Sequence, residues 1–194
     1  MLKQPLLLLA CLLFFAGNAL AAGSAVELNL NNESAQARFE TIINQDDFGT
    51  SKLNFRGLYN DDNNLNLWLA SGGLSFLGTP EQVPGLELGL IVEGSLSDSD
   101  VNDTDFAALG VGATASYLPP VLDGFGFSGR IIYSPKIFTF REAEGMTEFS
   151  LRASYNITPK IDVHLEYQKI EVDYDRFGDT DIDDDVRIGF KAHF

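Results

Sequence analysis

The last ten residues, Asp185-Val-Arg-Ile-Gly-Phe-Lys-Ala-His-Phe194, put Val186, Ile188, Phe190, Ala192 and Phe194 on one face of an extended strand. Arg187, Gly189, Lys191 and His193 fall on the other face. Side chains alternate across a strand with a period of two, so this segment divides an apolar from a charged environment. The same period runs through most of the chain. Leu86, Leu88, Leu90 and Val92 alternate with Glu87, Gly89, Ile91 and Glu93. Phe149, Leu151, Ala153, Tyr155 and Ile157 alternate with Glu148, Ser150, Arg152, Ser154 and Asn156, and Ile161, Val163, Leu165 and Tyr167 alternate with Asp162, His164, Glu166 and Gln168. Val26, Leu28 and Leu30 form another row, and Ala35, Ala37, Phe39, Thr41 and Ile43 a weaker one. Leu65, Leu67 and Leu69 form a row that Trp68 interrupts. This pattern predicts strands that each see two environments.

A soluble antiparallel sheet shows the same alternation, so other features decide. Lys3 followed by the apolar run Leu6–Ala16 and by Ala19-Leu-Ala21 reads as a signal peptide over residues 1–21, leaving 22–194 as one exported domain. The connections Thr158–Lys160, Pro119–Gly124 and Gly78–Gly85 are short or proline-marked, and the acidic blocks Ser97–Asp105 and Asp173–Asp185 lie in connections between them. Short turns at one end and longer loops at the other suit a transmembrane antiparallel up-and-down β-barrel, all-β, with lipid outside and a polar lumen. Tyr59, Tyr117, Tyr133, Tyr155 and Tyr167 lie near strand ends, where aromatic girdles form. Eight strands follow Ser51. The clear alternation of Ala25–Asn31 and the turn after it favour an added hairpin and ten strands, whereas leaving Ala25–Ile43 outside gives eight.

The balance of 28 Asp+Glu against 13 Lys+Arg argues against a nucleic-acid partner. Cys11 is the single cysteine and falls in the signal peptide, so the exported domain offers no disulfide, thiol nucleophile or Cys metal site. No cofactor is expected.

Alternation aims Arg130, Arg152, Ser154, His164, Glu166 and Arg187 inward, together with Arg56, Glu87, Glu93, Glu148, Asp162 and Lys191. Mixed charges in a small barrel predict a lumen filled by ion pairs rather than an open pore. Across the Thr158–Lys160 turn, matching inward faces sets Ser154 opposite His164 and Arg152 opposite Glu166. A serine, a histidine and a carboxylate are the ingredients of acyl-ester hydrolysis, but Arg152 is expected to occupy Glu166, which favours a structural network and no catalysis. Asp179-Thr-Asp-Ile-Asp-Asp-Asp185 has alternating carboxylates suited to weak divalent-cation binding from a solvated loop, without the glycine and terminal Glu of an EF-hand.

Val26-Glu-Leu-Asn-Leu-Asn-Asn-Glu-Ser-Ala-Gln-Ala37, Tyr59-Asn-Asp-Asp62, Val83-Pro-Gly-Leu-Glu-Leu-Gly89 and Tyr133-Ser-Pro-Lys-Ile-Phe138 resemble the YfaZ family of outer-membrane proteins. The resemblance implies an outer-membrane protein of a Gram-negative bacterium without an assigned activity. The expected role is structural or surface-interacting with a largely plugged lumen. A narrow porin-like channel and an outer-membrane lipid hydrolase are the alternatives. Expected partners are outer-membrane lipid and lipopolysaccharide. The aromatic end of the last strand, Phe190 and Phe194, resembles the signal read by the barrel-assembly machinery.

Overall fold

A computed structural model describes residues 23–61, 67–99, 105–175 and 178–194. The expected signal peptide, residues 1–21, and most of the first acidic block, 100–104, lie outside the described residues. The alternating segments form the strands β1 (Ser24–Leu30), β2 (Ser34–Asp46), β3 (Gly49–Asn60), β4 (Leu67–Gly78), β5 (Leu86–Ser99), β6 (Phe106–Tyr117), β7 (Phe125–Ser134), β8 (Thr139–Arg141), β9 (Ala143–Thr158), β10 (Ile161–Tyr174) and β11 (Gly178–His193). Each long strand pairs antiparallel with its chain neighbour, and β1 pairs with β11 from Ala25↔His193 to Leu30↔Ile188. That seam closes a ten-stave barrel. The three-residue β8 continues the stave of β7, pairing with β6 beyond the point where β7 ends. No α-helix occurs among the described residues. The segment Ala25–Ile43 is therefore part of the wall, and the eight-strand alternative is set aside.

Both chain ends lie at one rim, where Phe194 N–H donates to Ser24 O (2.9 Å) and Gly23 N–H donates to Phe194 O (2.9 Å). At this terminal rim the connections are 47–48, 79–85, 118–124 and 159–160, and at the far rim they include 31–33. Short turns thus occur at both rims, and loop length among the described residues does not separate them. Strand overhang does. β9 and β11 have 16 residues each and β10 has 14, against about 9–11 for a strand that just crosses a bilayer.

The overhang carries an inversion of polarity. Over the terminal two-thirds of β10, Ile161, Val163 and Leu165 point outward and His164, Glu166 and Gln168 point inward. Past Tyr167 the apolar residues change parity: Ile170, Val172 and Tyr174 are buried inside, while Lys169, Glu171 and Asp173 face out. These buried three join Leu58, Leu67, Leu69, Phe106, Met146 and Ile182 in one apolar cluster filling the far end of the barrel. Apolar side chains turn inward where the surroundings are water and outward where they are lipid. The parity switch thus marks one edge of the membrane band. It also explains Trp68: Leu67 and Leu69 face the far-end core, and Trp68 faces outward between them, 4.8 Å from the ring of Tyr59.

The second acidic block is likewise not a loop. It runs through β10 and β11 as paired strand, with Asp173↔Asp179 and Glu171↔Asp181 in register. Asp179, Asp181 and Asp184 are exposed, whereas Asp183 and Asp185 turn to the lumen side. The β-bulge in the β10–β11 pairing, where the register shifts between Ile170 and Glu171, turns Asp183 and Asp185 to the lumen while Asp179 and Asp181 stay outside, so carboxylates at alternate positions do not share one face.

Candidate functional site

The inward faces build the lumen in layers. Nearest the terminal rim, Lys191 Nζ donates to Glu40 Oε2 (2.8 Å), and His193 Nε2 lies 2.7 Å from Asp162 Oδ2. Above them Arg38 and Arg152 clamp Glu27 and Glu166. Arg152 donates from Nη1 to Glu27 Oε2 (2.8 Å) and from Nη2 to Glu27 Oε1 (2.6 Å), and also bonds Glu166. Arg38 donates to Glu166 Oε1 (2.7 Å) and Oε2 (2.9 Å) and to Glu27 Oε1 (3.1 Å). Two guanidiniums and two carboxylates from β1, β2, β9 and β10 thus neutralise one another in a single layer.

The next layer spans the barrel. Arg56 on β3 donates to both oxygens of Glu148 on β9 (2.6 and 2.7 Å), to Glu93 on β5 (3.0 Å), and to Ser71. β3 and β9 are diametrically opposed in the ring of ten staves. Arg130 on β7 completes the layer through Glu93 Oε2 (2.7 Å). Higher still, Arg187 holds Asp183 and Asp185 and donates to Ser34 Oγ (2.7 Å), while Gln36 Nε2 donates to Gln168 Oε1 (2.7 Å). The apolar cluster sits on top. Charges removed from water are stable only when paired and hydrogen-bonded, and the layers meet that requirement by joining strands across the lumen.

The six lumen residues expected from sequence all face inward, but they belong to different layers. Arg130 belongs with Arg56, Arg152 and Glu166 with Arg38, and Arg187 with Asp183. The strand pairing sets Ser154 opposite His164 and Arg152 opposite Glu166, with a bulge at Ile161 absorbing the two-residue turn Pro159–Lys160. His164 nevertheless bonds through Nε2 to Asn29 of β1, not to Ser154. Gly189 makes room for that bond, since a Cβ there would collide with Asn29 Oδ1 and His164 Nε2. Sequence reading did not place Glu27, Arg38, Asn29, Gln36 or Asp183 in the network. The signal for the first two was present, because outward Val26 and Leu28 imply inward Glu27, and outward Ala37 and Phe39 imply inward Arg38.

Glu27, His164 and Glu166 bring one potential metal-ligand atom each within 4.8 Å of one another. Both carboxylates are already bridged by Arg38 and Arg152, so a cation entering there would stand against two fixed positive charges. Phe190 and Phe194 lie on the outer face, on the row that starts at Val186.

A closed barrel with an apolar exterior and a layered polar lumen is the architecture of a membrane-type β-barrel, and a family model described as YfaZ precursor matches residues 3–194. The chain belongs to the YfaZ family. Among solved structures, a bacterial polysaccharide outer membrane secretin is similar to this YfaZ chain at 14% identity with a TM-score of 0.45, over 88% of this chain and 63% of that one. The YfaZ chain therefore spans less than two-thirds of that protein's length. No curated protein matches the sequence.

Proposed function

We propose that this YfaZ protein is an integral outer-membrane barrel with a structural or surface-interaction role and a lumen closed to the cell exterior. The observation that carries the reading is the double seal, in which guanidinium–carboxylate layers span the bore and the apolar cluster around Phe106 and Tyr174 caps them. The terminal rim then faces the periplasm and the overhang of β9–β11 stands outside the cell. Its exposed Asp179, Asp181 and Asp184 meet the lipopolysaccharide layer and the divalent cations held there. Against a narrow channel stands the packing of the fully buried Leu58, Phe106, Ile170 and Val172 in the apolar cluster. Against a lipid hydrolase stands the pairing of His164 with Asn29 and of Glu166 with two arginines. No enzymatic activity is assigned.

The test is fractionation of cells expressing the native chain. The protein should sediment with outer membranes and migrate differently on SDS gels before and after boiling. Recovery in the soluble periplasmic fraction would refute the proposal.

The closing seam extends it to assembly. Phe194 both ends the outward aromatic row and makes two backbone bonds across the seam. Deleting Phe194 is expected to reduce the heat-modifiable, membrane-inserted fraction several-fold, whereas Thr180→Ala in the overhang should leave it unchanged. Equal insertion of the two variants would remove the assembly-signal role from Phe194.

A further inference from the structure

Below the Arg56 layer the lumen is not filled. A chamber of about 190 Å³ lies between Lys52, Glu87, Ser128 and Lys191, and a second space of about 160 Å³ adjoins it beside Ser154 and His164. The two share Ser116, Ser128, Arg152 and Lys191.

The walls are asymmetric in charge. Six Arg and Lys side chains line the larger chamber against three carboxylates, Glu40, Glu87 and Glu93. Exposure follows the same division. The side chains of Arg130, Arg152 and Lys191 are 16–17% exposed and that of Glu40 is 30% exposed, while Glu27 and Glu148, which neutralise arginines from outside the chamber lining, are 0–2% exposed. The chamber therefore sees arginine donors whose compensating Glu27 and Glu148 are out of its reach. Some donors remain free. Arg38 Nε and Arg130 Nε are buried without a hydrogen-bond partner, and Lys52 forms no ion pair within 4.0 Å with a described carboxylate. Buried donors that lack an acceptor favour an acceptor-rich ligand, and guanidiniums match phosphate and carboxylate oxygens in geometry.

We propose that this blind chamber is a binding site for a small, multiply charged anion bearing phosphate or carboxylate groups, entering from the periplasmic rim as a free solute. The barrel wall separates the chamber from the bilayer. The proposal rests on the reading that the outer end is closed and the terminal rim faces the periplasm. Lys52 and the Arg130 guanidinium supply the contacts, and Arg152 and Lys191 set the potential. Glu40 and Glu87 restrict entry to ligands whose charge is gathered on compact groups.

Isothermal titration of the folded, detergent-solubilised barrel with pyrophosphate, citrate and glucose tests this. Pyrophosphate and citrate should bind saturably and glucose should not. Lys52→Gln and Arg130→Gln should each weaken anion binding about tenfold, as expected for loss of one charge-assisted contact. Lys169→Gln on the outer face should leave it unchanged. Retained heat-modifiable migration shows that each variant folds. No saturable binding of either anion to the folded wild type, or binding that both chamber variants leave intact, would overturn the site. Steady ionic current from the same preparation would instead overturn the closed outer end, whatever the isotherms show.

Discussion

Arg56→Ala is expected to destabilise the folded barrel by about 3–5 kcal/mol, the cost of removing one partner from a buried ion-paired group. Arg56 is the centre of the layer that crosses the full diameter, and its loss leaves Glu148 and Glu93 to share Arg130 alone. Glu148 is fully buried, and an uncompensated carboxylate there has no replacement for the lost bonds. Removing the partner together with the charge should recover much of the loss, so Arg56→Met with Glu148→Leu should cost less than Arg56→Ala. Denaturant unfolding in lipid vesicles, followed by the single tryptophan, Trp68, reads both values. A double variant as unstable as Arg56→Ala would show that the layer acts through something other than charge pairing.

The second large effect concerns the polarity switch on β10. Leu165 faces outward on the terminal side of the switch and Asp173 faces outward beyond it. Leu165→Arg is expected to cost about 2–4 kcal/mol, as for a cation on the lipid face near the bilayer midplane. Asp173→Arg, standing in water, should change stability by no more than about 0.5 kcal/mol. The same unfolding assay compares them. Similar costs for the two would mean that the lipid band extends over the overhang and that the inward Ile170, Val172 and Tyr174 do not mark its edge.

The strands and the identity of the lipid-facing rows were legible because alternation is a local property. Val186, Ile188 and Phe190 point outward as their spacing implies, and so do all five tyrosines proposed for the girdles. The Arg152–Glu166 pair was legible for the same reason, since a short turn fixes the register between adjacent strands. Three things were not. The first was the far-end core, since a rule that equates apolar with outward treats Leu67 and Leu69 as a lipid row and Trp68 as an exception. The chain outside the membrane follows the opposite rule, and the odd spacing from Tyr167 to Ile170 is its trace in the sequence. The second was which inward charges meet. Arg56 and Glu148 are brought together by the stagger of the strands around the barrel, and a one-strand pattern carries no information about it. The third was the acidic Asp179–Asp185 run, where charge density masks a strand whose pairing partner, Gln168–Asp173, is itself polar on its outer face.

The central claim is that the bore is closed, and planar-bilayer recording of the purified wild-type barrel tests it most directly. The ion-paired layers and the apolar cap predict no steady conductance above the bare bilayer. Stable, ion-selective openings of the wild-type protein would contradict the closed lumen and make the narrow channel the better account.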